Sequence, residues 1–237
     1  MLASEERNPA VVVMLTQTHE AGREKCFQYY PLSPEEPPLQ IPPDDEEGEG
    51  GWKGEVRLES IETDTASRSE VRRMRLQAGR EGEGTEELEI RHLLFSGWPD
   101  FLIPEGEDKT ALLELVRLSA SLNRPTDETD AQPNGATAPA HDLLNTSENP
   151  RIVHCSAGVG RSGTFIALDY LLSLLYSNEL DNIDDDKDPI AEIVDDMRKQ
   201  RMMMVQGESQ FNFLYEVLKE QMVERLQASG GAEQDGS

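Results

Sequence analysis

The sequence predicts an α/β fold: a mixed, twisted sheet flanked by helices, with its key loop at the carboxyl end of a strand. Three observations predict it. Residues 11–15, Val-Val-Val-Met-Leu, form a β-branched run of the kind that fills a buried strand. Residues 52–60 and 71–76 alternate apolar and polar side chains, as antiparallel strands do. Residues 151–165 pass from a short apolar run through a cysteine and five small residues into a segment with helical apolar spacing. That order reads as strand, tight loop and helix N-terminus.

The helices follow from period and punctuation. Leu112, Leu115, Val116, Leu118 and Leu122 mark an amphipathic helix over residues 108–123. Phe165, Leu168, Leu171, Leu172 and Leu175 give the helix after the small-residue loop a core-facing stripe. Asp188-Pro189 supplies an N-cap and a first-turn proline, and Ile190, Ile193, Val194 and Met197 line the helix that follows. Met202 to Met204 read as core filling. A last amphipathic helix is expected over residues 211–226.

The 237 residues suit one domain, or one domain with insertions. That domain is expected to span residues 1–226, with a flexible tail at 227–237. Tracts near residues 33–51, 79–87, 123–149 and 178–187 are acidic or of low complexity and read as loops or insertions. Lys plus Arg number 22 against 47 Asp plus Glu, a formal charge of -25, which disfavours nucleic acid or an anionic membrane as partner. The first ten residues lack the apolar centre of a signal peptide, and no apolar run approaches the length of a membrane span. A soluble intracellular protein is expected. Counting alone permits a Cys26–Cys155 disulfide, but the chemistry at Cys155 needs a free thiol, and a reducing compartment fits better.

That chemistry lies in His154-Cys155-Ser156-Ala157-Gly158-Val159-Gly160-Arg161-Ser162-Gly163-Thr164-Phe165. Small residues let a loop turn its backbone N–H groups inward as a nest for an anion, and the helix that follows points its positive end at the same spot. Arg161 adds a planar, bidentate grip on two phosphate oxygens. The same field favours the Cys155 thiolate, the nucleophilic form. A cysteine in an anion nest points to attack on the phosphorus of a phosphoester and a phosphocysteine intermediate. Ser162 is placed to hydrogen-bond the leaving sulfur, and His154 to hold the loop. A buried structural cysteine would account for Cys155 alone, but not for Arg161, Ser162 and the loop glycines at matched spacing.

This stretch resembles the signature of the classical cysteine-dependent protein tyrosine phosphatases, in their non-receptor, fungal form. Other segments agree with it in order. Thr16-Gln17-Thr18-His19-Glu20 and Lys25-Cys26-Phe27-Gln28-Tyr29-Tyr30-Pro31 resemble the family's glutamate turn and Lys-Cys motif, with Tyr30 where tryptophan is usual. By that resemblance Glu20 pairs with and orients Arg161, and Lys25 lies near the general acid. Trp98-Pro99-Asp100 resembles the family's mobile acid loop, so Asp100 would protonate the leaving phenolate. Leu102 stands where many members have glycine. Residues 198–211 resemble the glutamine loop, so Gln206 would position the hydrolytic water with help from Gln210, while Arg198 and Arg201 would support the surface. Substrate phosphate would meet Ser156, Ala157, Gly158, Val159, Gly160, Arg161, Gln210 and Lys25.

The resemblance implies a protein-tyrosine-phosphatase with no cofactor and no metal, cytoplasmic or also nuclear, acting on phosphotyrosine-containing proteins in signalling. Mitogen-activated protein kinases are substrates by analogy only. It also implies that the chain corresponds to the C-terminal two-thirds of such a domain, because the family's Asn-x-Tyr, Tyr-Ile-Asn-Ala and Thr-Gln-Gly-Pro segments do not occur in it. An incomplete sheet with exposed edges and apolar surface is then expected. Two alternatives stay open: an impaired relative that binds phosphotyrosine or partners, and a dual-specificity enzyme with a shallow pocket.

Overall fold

The computed structural model describes residues 9–42, 52–80, 84–100, 102–123, 149–184 and 186–231. Its strands are β1 (Ala10–Met14), β2 (His19–Glu20), β3 (Arg23–Glu24), β4 (Leu39–Ile41), β5 (Trp52–Asp64), β6 (Ser69–Arg80), β7 (Glu86–Phe95) and β8 (Ile152–His154). Its helices are α1 (Glu107–Leu122), α2 (Gly160–Tyr176), α3 (Pro189–Gln200) and α4 (Glu208–Gly231). Six strands form one mixed sheet in the order β4-β5-β6-β7-β1-β8, and β2 and β3 form a separate hairpin. The architecture is the mixed sheet with flanking helices that the sequence predicts.

The β-branched run of β1 is buried along its whole length because both faces of the sheet are covered there. Val11, Val13 and Leu15 face the main core, with Leu93, Phe95 and the apolar stripes of α1, α2 and α4. Val12 and Met14 face a smaller cluster with Tyr30, Val56, Leu58, Met74 and Ile90. That second face keeps an apolar cleft of about 340 Å³ lined by Val12, Tyr29, Val56, Met74, Ile90 and Ile152.

β1 runs parallel to both β7 and β8, whereas β4 to β7 pair antiparallel. The carboxyl ends of β7, β1 and β8 therefore open side by side. Residues far apart in sequence leave the sheet at one edge, and ligand sites in α/β sheets gather at such ends.

Several elements differ from the sequence reading. β5 and β6 extend past their alternating stretches, to Asp64 and to Ser69 and Arg80, and charged residues on the wet face pair across neighbouring strands, for example Arg75 with Glu59 at 2.7 Å and with Glu87 at 2.8 Å. Each such partly exposed pair adds little stability by itself, and these are diagonal contacts, since the residues directly opposite Arg75 are Arg57 and Glu89. Part of the tract at 33–51 is strand β4, and the turn expected at 79–87 narrows because β6 runs to Arg80 and β7 begins at Glu86. The tract expected at 123–149 lies largely outside the described residues. The tail expected from residue 227 is helical as far as Gly231, since Leu226, Gln227 and Ala228 are compatible with propagation of a formed helix. Asp188 caps α3 as expected, its Oδ1 accepting from the amides of Ile190 at 3.1 Å and Ala191 at 3.0 Å. Of the three methionines read as core, only Met204 is buried; Met202 and Met203 are 79% and 54% exposed. Met203 has φ 66°, and this left-handed turn leaves the pair outside the core.

Candidate active site

The loops after β1, β7 and β8, together with the segment between α3 and α4, surround a pocket of about 140 Å³. Lys25, Asp100, Cys155, Ser156, Ala157, Gly160, Arg161, Gln206 and Gln210 line it. The extremes, Lys25 and Gln210, are 185 positions apart, and the parallel pairing of β1 with its two neighbours helps bring the lining together.

Cys155 follows β8 directly, is buried and carries a free thiol, the form a nucleophile needs. Cys26 is also a free thiol, and the disulfide that counting permits is not formed. Gly158 takes φ +69°, the left-handed step with which the loop turns its amides inward. Gly160 opens α2, so its positive end faces the pocket. Burial by itself pushes the Cys155 thiol up, but the Ser162 hydroxyl, the Ser162 and Gly158 amides and the Arg161 charge outweigh it and bring the pKa below the ordinary cysteine value. The Ser162 hydroxyl is buried with no hydrogen-bond partner among the described residues, which leaves it available to a Cys155 thiolate. Alkylation of Cys155 by iodoacetate is expected to rise with pH around a midpoint below the ~8.5 of a free thiol, and Ser162→Ala should move that midpoint up. Rates of inactivation across a pH series check this.

Arg161 is nearly fully buried and held on several sides. Its Nη1 donates to Glu20 at 2.7 Å and to the Trp98 carbonyl at 3.1 Å. Its Nη2 donates to Glu20 and to the Thr16 hydroxyl, both at 3.2 Å, and to Asp100 at 3.3 Å. Burial tends to raise the Glu20 carboxyl, but bonds from Arg161, Thr16 and the Gln17 amide leave it below its usual range, a carboxylate that orients the guanidinium. Lys25 pairs with the other oxygen of Asp100. The acid-loop tryptophan is buried, and its indole N–H donates to the Leu102 carbonyl at 2.9 Å. Trp98 thus joins the acid loop to Arg161 through its own carbonyl.

Behind the cysteine loop, the Tyr29 hydroxyl lies 2.6 Å from His154 Nε2 and 2.9 Å from His92 Nε2. Burial, with help from nearby Arg72 and His154, lowers the His92 pKa to about 3, so this ring is neutral. Burial also lowers that of His154, although a bond to the Cys155 carbonyl opposes the shift. With His154 Nδ1–H directed to that carbonyl at 3.3 Å, its Nε2 accepts from Tyr29, and the tyrosine oxygen accepts from His92. Tyr30, the residue found where tryptophan is usual, is buried with its ring 4.6 Å from both the His92 ring and the Arg72 guanidinium carbon.

Gln206 and Gln210 both approach the cysteine loop: a Cβ at Gly160 would lie 3.4 Å from Gln206 Oε1 and 3.2 Å from Gln210. The glutamine segment is tied to the loop by the Val205 amide, which donates to the Val159 carbonyl at 3.1 Å. This close approach requires Gly163, where a Cβ would lie 2.5 Å from Val205 N. Gly163→Ala is therefore expected to destabilise the fold by about 1–3 kcal/mol, read as a lower Tm. Arg201 Nη2 donates to the Ala157 carbonyl at 3.0 Å.

The structure thus brings Lys25, Asp100, Cys155, Ser156, Ala157, Gly160, Arg161, Gln206 and Gln210 around one pocket, while Gly158, Val159, Glu20, Ser162 and His154, also picked out in the sequence, do not line it. Thr16, Tyr29 and His92 were not picked out as site residues. Thr16 had a weak signal in its place four residues before Glu20, and His92 had none beyond its place three residues before the end of a strand.

The family model for protein-tyrosine phosphatase matches residues 3–220. Tyrosine-protein phosphatase 2 of Schizosaccharomyces pombe is 33% identical over 210 residues, covering 88% of this chain and 24% of its own length. Among solved structures, the Trypanosoma cruzi protein tyrosine phosphatase TcPTP1 superposes with a TM-score of 0.64 at 24% identity, covering 92% of this chain and 61% of that one. PTPN18 in complex with HER2-pY1248 phosphopeptides superposes with a TM-score of 0.61 at 25% identity, covering 90% and 62%. The chain spans about a quarter of that curated relative and about three-fifths of those solved chains. With a matched model over nearly its whole length and the pocket assembled at the matching residues, the chain belongs to the protein-tyrosine phosphatase family.

Proposed function

We propose that the chain hydrolyses phosphotyrosine in protein substrates through a phosphocysteine intermediate, as a step in intracellular signalling. The observation that carries this reading is the convergence of Cys155, Arg161, Asp100 and Gln206 on one phosphate-sized pocket. The PTPN18 complex with phosphopeptides supports a phosphotyrosyl protein as the substrate class.

In the first step the Cys155 thiolate attacks phosphorus, an S–P bond forms and the P–O bond to the tyrosyl ring breaks. Asp100, entering this step protonated, gives its proton to the departing phenolate. Arg161 and the loop amides stabilise the charge that spreads over the phosphoryl oxygens. In the second step water, positioned by Gln206 and Gln210, gives a proton to the Asp100 carboxylate and attacks phosphorus. The S–P bond breaks, the thiolate returns under the Ser162 hydroxyl, and phosphate leaves. Lys25 holds Asp100 over the pocket, and Glu20 holds Arg161.

The test is phosphate release from a phosphotyrosyl peptide, with a phosphothreonyl peptide of the same sequence beside it and acid-quenched protein assayed for phosphate on Cys155. Release from the phosphotyrosyl peptide with label on Cys155 is expected. Folded protein that binds the peptide and releases nothing would identify a binder; equal turnover of both peptides would identify a dual-specificity enzyme.

A further inference from the structure

We propose that Arg198 is a positioning residue for the second step, holding the backbone that presents Gln206 to the phosphocysteine. The proposal rests on the phosphatase reading above.

Arg198 sits in the last turn of α3 and does not line the pocket. Its side chain reaches forward over the segment that joins α3 to α4. Nε donates to the Met204 carbonyl at 2.9 Å and Nη2 to the Val205 carbonyl at 2.8 Å. The second carbonyl belongs to the peptide unit whose nitrogen is that of Gln206. One rigid guanidinium therefore fixes two successive peptide planes immediately before the glutamine.

Those planes are not where the chain would settle unaided. Met203 has φ 66° and Val205 has φ 55°. A β-branched residue in the left-handed region is a genuine outlier, held there only when its surroundings over-determine it. At Val205 the surroundings are identifiable. The amide is bound to the Val159 carbonyl of the cysteine loop at 3.1 Å, and the carbonyl is bound to Arg198. The segment is thus fastened to the cysteine loop on one side and to α3 on the other, with Gln206 projecting beyond the fastening toward Gly160. Arg201 is excluded from this role, since its guanidinium bonds the Ala157 carbonyl instead.

The consequence is specific to one half of the reaction. Transfer of the phosphoryl group to sulfur uses Cys155, Arg161 and Asp100, none of which Arg198 touches among the described contacts. Hydrolysis of the S–P bond needs a water placed by Gln206, and small displacements of a positioning group cost rate steeply.

The experiment uses the full chain carrying Arg198→Lys or Arg198→Met, with p-nitrophenyl phosphate in stopped-flow and acid-quenched Cys155 phosphate as a second readout. Lysine keeps the charge but cannot bridge two carbonyls with a planar fork, and it retains the stem if the methionine variant fails to fold. The burst of nitrophenol is expected to stay within roughly threefold of the unaltered chain, while steady turnover falls about tenfold or more and phosphocysteine accumulates. In a Gln206→Ala background, Arg198→Lys should slow hydrolysis by less than about twofold further, because the two act as one unit. Burst and turnover falling together, neither falling, or the two substitutions multiplying in effect would each overturn the proposal. An unaltered chain that releases no nitrophenol and forms no phosphocysteine overturns the phosphatase reading itself, and is told apart because it needs no variant.

Discussion

Cys155→Ser is expected to lower phosphate release from a phosphotyrosyl peptide by about 10⁴-fold or more while leaving peptide binding within a few fold. Serine fits the space, but the nucleophile must be an anion. The bonds that depress the Cys155 pKa act on a thiol whose ordinary value is already near ~8.5; the same bonds leave an alcohol un-ionised. The anion nest is untouched, because its amides and Arg161 do not depend on sulfur. Steady-state phosphate release beside calorimetric titration with the peptide measures both quantities. Turnover near that of the unaltered chain would mean that Cys155 is a buried structural thiol and that the phosphatase mechanism is wrong.

Asp100→Ala is expected to reduce kcat by about 10²- to 10⁴-fold on a phosphotyrosyl peptide, and by much less on an aryl phosphate whose phenol leaves readily without a proton. KM should fall in the same variant. Asp100 Oδ1 accepts from Arg161 Nη2 at 3.3 Å, so it occupies a donor that a bound phosphate would use. Removing it frees that donor, the pattern in which a lost catalytic group also lowers KM. Arg161 stays in place, since Glu20, Thr16 and the Trp98 carbonyl still hold it. Parallel kinetics on the two substrates would show the effect; an equal loss on both, with KM unchanged, would remove Asp100 from the role of proton donor.

Much of the site was legible before any coordinates because its centre is one contiguous stretch. A nucleophile, an anion nest and a guanidinium within residues 155–161 need only local geometry: a strand, a loop with a left-handed glycine at 158 and a helix start. Resemblance then assigned partners to Glu20 and Lys25, and the structure places both where those pairings form. The core elements were likewise read from local pattern, β1 from its β-branched run and α2 from its helical apolar spacing, and both are buried as expected.

What remained hidden depends on contacts that side-chain identity does not encode. The Trp98 carbonyl on Arg161 is a backbone group, present at every position in the chain and meaningful only where the fold aims it. The Tyr29, His92 and His154 bonds join two strands and the loop after β3, and each residue alone reads as an ordinary polar or aromatic side chain. Met202, Met203 and Met204 are identical in sequence terms, yet a left-handed turn buries only the last. The sequence by itself determined the chemistry available at the carboxyl end of β8 and the alternation that makes a sheet. Only the tertiary structure decided that β1 pairs in parallel with both β7 and β8, so that Glu20, Asp100 and Arg161 meet, because a parallel register is set by long-range packing of buried faces rather than by any neighbouring residues.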